Sequence, residues 1–198
     1  MKSRLTLLIA APLLLAAGQA IAQQDARSGS TAEVALSNDT LQLRYLASGN
    51  TVGVQGSQFT GGVFLGEERD LVLNAGLLFP ADLGIRRLTI SFGPQVYAAL
   101  LQEENDDVMA VSIGTEVRFF IDPSRRLAVS GQAYYAPDIL TFGAADNLTD
   151  LSARVEMRVA EQLQAFAGMR WFEFDLTDGS GERTLQEEAF VGVGYRFR

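Results

Sequence analysis

The residues best placed to do chemistry are charged ones at regular spacing: Arg44, Glu116, Arg118, Arg154, Glu156, Arg158, Arg170 and Arg196. Glu116 and Arg118, and likewise Arg154, Glu156 and Arg158, are separated by two. In an extended chain that spacing puts them on one face. Guanidinium and carboxylate groups brought together in this way either pair through charge-assisted hydrogen bonds or line a polar path whose arginines favour anions. In a small barrel the side chains can fill the interior, so a salt-bridged plug is the simpler of the two outcomes.

Other chemistries are poorly supplied. The chain has no His and no Cys, which removes the usual bases, nucleophiles and soft metal ligands. Paired carboxylates such as Asp146 and Asp150 remain, but they read as solvated loop charge, and no catalytic residue is expected. Asp175-Leu176-Thr177-Asp178-Gly179 lacks the spacing of a calcium loop, so no metal site is assigned. Gly192-Val193-Gly194 has no following helix on which a phosphate could rest, and no cofactor is expected.

The elements that must hold the charged residues are strands. From Leu151 to Val159 the odd positions, Leu151, Ala153, Val155, Met157 and Val159, are apolar, and Ser152, Arg154, Glu156 and Arg158 between them are polar. Met109, Val111, Ile113, Val117 and Phe119 alternate in the same way with Ser112, Gly114, Glu116 and Arg118. So do Leu88, Ile90, Phe92 and Val96 with Thr89, Ser91, Gly93 and Gln95. Leu71 to Phe79, Leu127 to Tyr135 and Leu163 to Phe174 follow, with weaker runs at Ala32 to Leu36, Thr40 to Leu46 and Thr51 to Phe64. At the C-terminus Ala189, Val191, Val193, Tyr195 and Phe197 alternate with Gly192, Gly194 and Arg196. Most runs approach the roughly 9 to 11 residues with which a tilted strand crosses a bilayer.

The fold expected is all-β: a closed antiparallel transmembrane β-barrel of about ten strands, or eight if the short hairpin at Ser37-Asn38-Asp39 lies outside it. Counted back from the C-terminus, compact connections at Ser48-Gly49-Asn50, Pro80 to Arg86, Asp122 to Arg125 and Ala160 to Gln162 mark a near side. Longer ones at Gly66 to Asp70, Gln102 to Asp107, Pro137 to Asp150 and Asp175 to Glu188 mark a far side. Most of the 24 acids fall in these far connections, including Glu67, Glu68, Glu103, Glu104, Asp146, Asp150, Asp178, Glu187 and Glu188. Tyr134, Tyr135, Trp171, Phe172, Phe174, Tyr195 and Phe197 lie toward strand ends, as interfacial girdles would.

The N-terminus reads as an export leader. Lys2 and Arg4 precede an apolar stretch from Leu5 to Ala17, and Ala20-Ile21-Ala22 offers a cleavage site before Gln23. This divides the chain into a signal peptide at 1–22 and a barrel at 23–198. The net charge of −8 becomes more negative once Lys2 and Arg4 leave, and no Lys remains. Nucleic-acid binding is thereby disfavoured, because no basic face is written. The partners expected are outer-membrane lipid, periplasmic chaperones and the barrel-insertion machinery, the last reading Val191, Val193, Tyr195 and Phe197 as an insertion signal.

Tyr134-Tyr135-Ala136-Pro137-Asp138, Leu151-Ser152-Ala153-Arg154, Gly168-Met169-Arg170-Trp171 and the closing Val191-Gly192-Val193 resemble the C-terminal half of the YfaZ family of bacterial outer-membrane proteins. The resemblance runs from about Val108 onward. It implies a small outer-membrane barrel in the cell envelope and supplies no catalytic residues. Alternation alone does not say which face looks outward, so a soluble periplasmic lipocalin-like barrel with an apolar ligand inside is the rival fold. A surface adhesion or cation-bridging role for the acidic loops is a further alternative to a structural or narrow-pore barrel.

Overall fold

Period-two alternation becomes strand along most of the chain, and the strands close on themselves. The computed structural model describes residues 29–66, 70–101, 106–176 and 182–197. The leader and its cleavage site lie outside the described residues, as do Glu67, Glu68, Arg69, Glu103, Glu104, Asp178 and Arg198.

The strands are β1 (Thr31–Leu36), β2 (Leu41–Ser48), β3 (Gln58–Leu65), β4 (Leu71–Ala81), β5 (Leu88–Leu101), β6 (Asp106–Phe120), β7 (Leu127–Ala136), β8 (Thr141–Gly143), β9 (Ala145–Arg158), β10 (Leu163–Leu176) and β11 (Glu182–Arg196). Each neighbouring pair is antiparallel. The ring closes where β1 lies against β11, from Thr31 opposite Arg196 to Leu36 opposite Val191. Ten strands form the closed barrel. The remaining one, β8, is a spur that pairs with Val108 to Ala110 of β6, beyond the point where β7 leaves that edge at Ile113 opposite Tyr135. The short first strand is therefore the closing strand, and the eight-stranded alternative does not hold. No helix among the described residues is long and apolar enough to cross a membrane.

Several strands run further than the sequence suggests. The connection expected from Pro137 to Asp150 is interrupted by β8 and ends where β9 begins at Ala145, and the one expected from Asp175 to Glu188 ends where β11 begins at Glu182. Asp150 thus sits on a strand opposite Phe172. The physical reason is the ladder. A backbone group with a partner on both sides stays paired whatever its side chain, so polar residues do not end a strand inside a closed ring. On the near side the opposite occurs. The run expected from Thr51 starts only at Gln58, because residues 49–52 form a 3-10 turn capped by Ser48, with Gly53 at φ 82° closing it. The amide of Gly49 donates to the carbonyl of Ser57 at 2.8 Å, which makes this connection longer than Ser48-Gly49-Asn50.

The two faces divide by polarity in one direction. Val34, Leu43, Leu73, Val96, Ile113, Val129, Val155, Met169, Val191 and Val193 are exposed on the outer wall. Glu33, Gln95, Ser112, Asp150, Glu156 and Arg170 are buried inside. This is the reverse of a lipocalin-like arrangement. Of the expected aromatic girdle, Tyr135, Trp171, Tyr195 and Phe197 face outward, but Tyr134, Phe172 and Phe174 are buried in the interior. In Trp171-Phe172-Glu173-Phe174 an aromatic on each face hides the alternation. Phe172 and Phe174 fall on the inward register of Arg170.

Candidate functional site

The interior has two zones. Toward the far end, Phe64, Val72, Tyr97, Leu148, Phe172 and Phe174 form one buried apolar cluster, none more than 1 % exposed. Its rings meet across the lumen. Phe64 on β3 and Phe172 on β10, from opposite walls of the ring, stand edge to face with centroids 5.6 Å apart, and Tyr97 on β5 lies 5.7 Å from Phe172. Packed rings at this distance leave no water-filled path between them.

A charged pair is set into this cluster. Nε and Nη2 of Arg170 donate to Oδ1 and Oδ2 of Asp150, both at 2.8 Å, and the Tyr97 hydroxyl donates to Oδ2 at 2.8 Å. The guanidinium lies 4.5 Å from the Phe172 centroid and 5.2 Å from that of Phe64. Bidentate geometry, a third donor on the carboxylate and two aromatic faces compensate the desolvation of both charges.

Toward the near end the ionic groups brace one wall against another. Arg154 of β9 reaches Glu33 of β1, with Nη1 to Oε2 at 2.8 Å and Nη2 to Oε1 at 3.2 Å, while Gln164 donates to the same carboxylate at 2.8 Å. Nε of Arg154 donates to Glu156 at 2.9 Å, and Arg118 of β6 joins Glu156 at 3.2 Å. Phe166 lies under the Arg154 guanidinium at 4.6 Å. A second brace links Arg44 of β2 to Glu116 of β6, and Tyr134 donates to the same carboxylate oxygen at 3.3 Å. Gly114 makes that contact possible, since a Cβ there would stand 2.2 Å from the Tyr134 ring.

Of the residues expected inside, Arg44, Glu116, Arg154, Glu156 and Arg170 lie in the lumen, and Arg118 is there with its side chain 36 % exposed. Arg158 and Arg196 do not join them. Both are exposed at the near rim, around a small crevice with Glu161 and Gln162, because their strands have by then reached the barrel's end. Glu33, Asp150 and Tyr97 were missed. Glu33 carried a usable signal as the one charged residue inside the Thr31–Leu36 run; Asp150 did not, because it resembled the acids of the far connections. Among the described residues no group of His, Cys, Asp or Glu has the makings of a metal site.

Between the braces lies a cavity of about 100 Å³. It extends from Thr89 and Gln58, near the compact connections, inward to Arg170 beneath the aromatic cluster. The arrangement can pair charges, hold strands at a set separation and admit small polar molecules from the near end.

Several solved barrels share the outline of the chain. A KdgM porin in complex with disordered oligogalacturonate is 9 % identical, with a TM-score of 0.48 over 86 % of this chain and 99 % of that one. The NanC porin is 10 % identical, with a TM-score of 0.41 over 86 % and 99 %. The outer membrane protease OmpT from Escherichia coli is 8 % identical, with a TM-score of 0.43 over 86 % and 93 %. No curated protein sequence matches the chain significantly. The YfaZ precursor family matches residues 3–197, nearly the whole length, and the chain belongs to that family.

Proposed function

We propose that the protein is an integral outer-membrane β-barrel with a structural role, closed at rest, without catalytic activity, and exported by the leader at 1–22. The observation that carries this reading is the polarity of the wall: large apolar side chains outside, paired charges inside. Such an arrangement would be costly in water and is favourable in lipid, where the closed ladder satisfies every strand. Outer-membrane lipid covers the wall, and Val191, Val193, Tyr195 and Phe197 serve as the signal read by the insertion machinery after periplasmic chaperones deliver the chain. The contact of Phe64 with Phe172 supports closure over an open pore.

The test is gel mobility of the protein extracted from an outer-membrane fraction, with and without boiling. The expected result is a faster band in the unboiled sample, from a detergent-resistant barrel. Recovery in the soluble periplasmic fraction with no shift would defeat the reading.

A further inference from the structure

We propose that the near-side cavity is a binding site for one small oxyanion, a carboxylate or an inorganic phosphate or sulfate, held beneath Arg170. The charged groups lining it are the guanidinium groups of Arg44, Arg118, Arg154 and Arg170 and the carboxylates of Glu33 and Glu116. Two further carboxylates balance the four cations without lining the space, Asp150 paired with Arg170 and Glu156 with Arg154 and Arg118. The surface presented to an occupant is therefore richer in cation than in anion.

A second observation points the same way. Arg170 is 2 % exposed and spends Nε and Nη2 on Asp150, yet its buried Nη1 has no hydrogen-bond partner. Nε of Arg118 is likewise buried and unpartnered. Buried donors on a charged group are rarely left unmatched, and these belong to side chains that line the same cavity. Ser152 pairs across from Arg170 and lines the space too, adding a neutral hydroxyl.

Size and chemistry narrow the occupant. A space of about 100 Å³ has room for a small oxyanion with accompanying water. Guanidinium forks match the planar spacing of carboxylate and phosphate oxygens and desolvate more readily than ammonium groups. The aromatic cluster seals the inner end, so the ligand enters and leaves by the near mouth. That direction of entry rests on the closed-lumen reading above, whereas the binding site itself needs only the cavity.

The experiment is calorimetric titration of the folded full-length mature chain in detergent with acetate, sulfate and inorganic phosphate, at constant ionic strength in a chloride buffer. At least one anion should bind saturably at one per barrel, and the order among the three separates a carboxylate site from an inorganic one. Arg118→Met and Arg170→Lys should each weaken binding by about tenfold or more. Unboiled gel mobility checks that each variant folds. Should Arg170→Lys fail that check, Arg118→Met decides, because its side chain is already partly in solvent. Absence of saturable heat from all three anions overturns the site, as does unchanged affinity in the variants. Conductance is read separately: a silent barrel that binds no anion loses only this site, and a conducting barrel that binds one loses only the closure.

Discussion

Arg170 shows how far one side chain can commit a barrel. It is fully enclosed, and its charge is balanced by a carboxylate on the neighbouring strand and by rings from two walls. Deleting one member of such a pair strands the other in a medium that cannot solvate it. Arg170→Ala is expected to cost about 3–5 kcal/mol of stability, measured by urea unfolding in detergent followed as loss of the compact gel band. Arg170→Met combined with Asp150→Leu should recover most of that loss, since an apolar pair leaves no orphan charge. Wild-type stability in Arg170→Ala would mean that Asp150 is reached by water or another cation. The sequence placed Arg170 inside by alternation alone. It did not supply the partner, because Asp150 lies in a stretch whose other acids belong to the far rim.

At the level of elements, the compact near-side connections set the strand register, and the one between β6 and β7 is the best defined. Asp122 accepts from the Ser124 hydroxyl and from the amides of Leu127, at 2.7 Å, and Arg126, at 3.1 Å, while Arg125 takes φ 54° to complete the turn. The Ser124 hydroxyl first, then these amides, hold the Asp122 carboxyl at about 2, below its ordinary 3.8. A carboxylate depressed in the folded state stabilises the turn above pH 3.8, and that contribution is lost as the pH falls toward 2. Amide exchange at Arg126 and Leu127, corrected for intrinsic rate, should therefore accelerate between those values. Asp122→Ala should show the faster exchange already at neutral pH; equal exchange in both proteins would remove the cap from the account. Asp122, Pro123 and Ser124 announced this turn, because each has a known turn preference, whereas nothing in the sequence announced the left-handed backbone of Arg125. Of the turn after Ser48 only Ser48-Gly49-Asn50 was announced, and its 3-10 extension was not, since Thr51-Val52 alone reads as strand.

For the whole molecule the deciding feature is the aromatic cluster that closes the far half of the lumen. On the proposed function it makes the resting barrel a plug and not a channel. Reconstituted in planar bilayers, the wild-type protein is expected to show no steady conductance. Phe172→Ala with Phe174→Ala should introduce steps, because Phe172 meets Phe64 across the lumen, Phe174 packs on Phe172, and both are buried inside and not on the outer wall. A stable ohmic channel in the wild type would end the closed-barrel reading. Silence in the double variant would place the seal elsewhere, in the ionic braces nearer the mouth.

Alternation between Leu151 and Val159, and again between Ala189 and Phe197, was enough to specify strands with one oily and one ionic face. Its recurrence along the chain narrowed the barrel to about ten strands or eight, because strand period and turn chemistry are local properties, and the pairing of β1 with β11 decided for ten. Alternation could not say that Glu33 would meet Arg154, 121 residues away, or that Phe64 would touch Phe172. Those contacts depend on strand tilt and stagger, which exist only once β1 closes against β11. The identity of the strands and their division into an oily and an ionic face were thus determined by the sequence, whereas the direction in which each face looks, the pairing across the lumen, the aromatic cluster and the cavity beneath it were decided by closure.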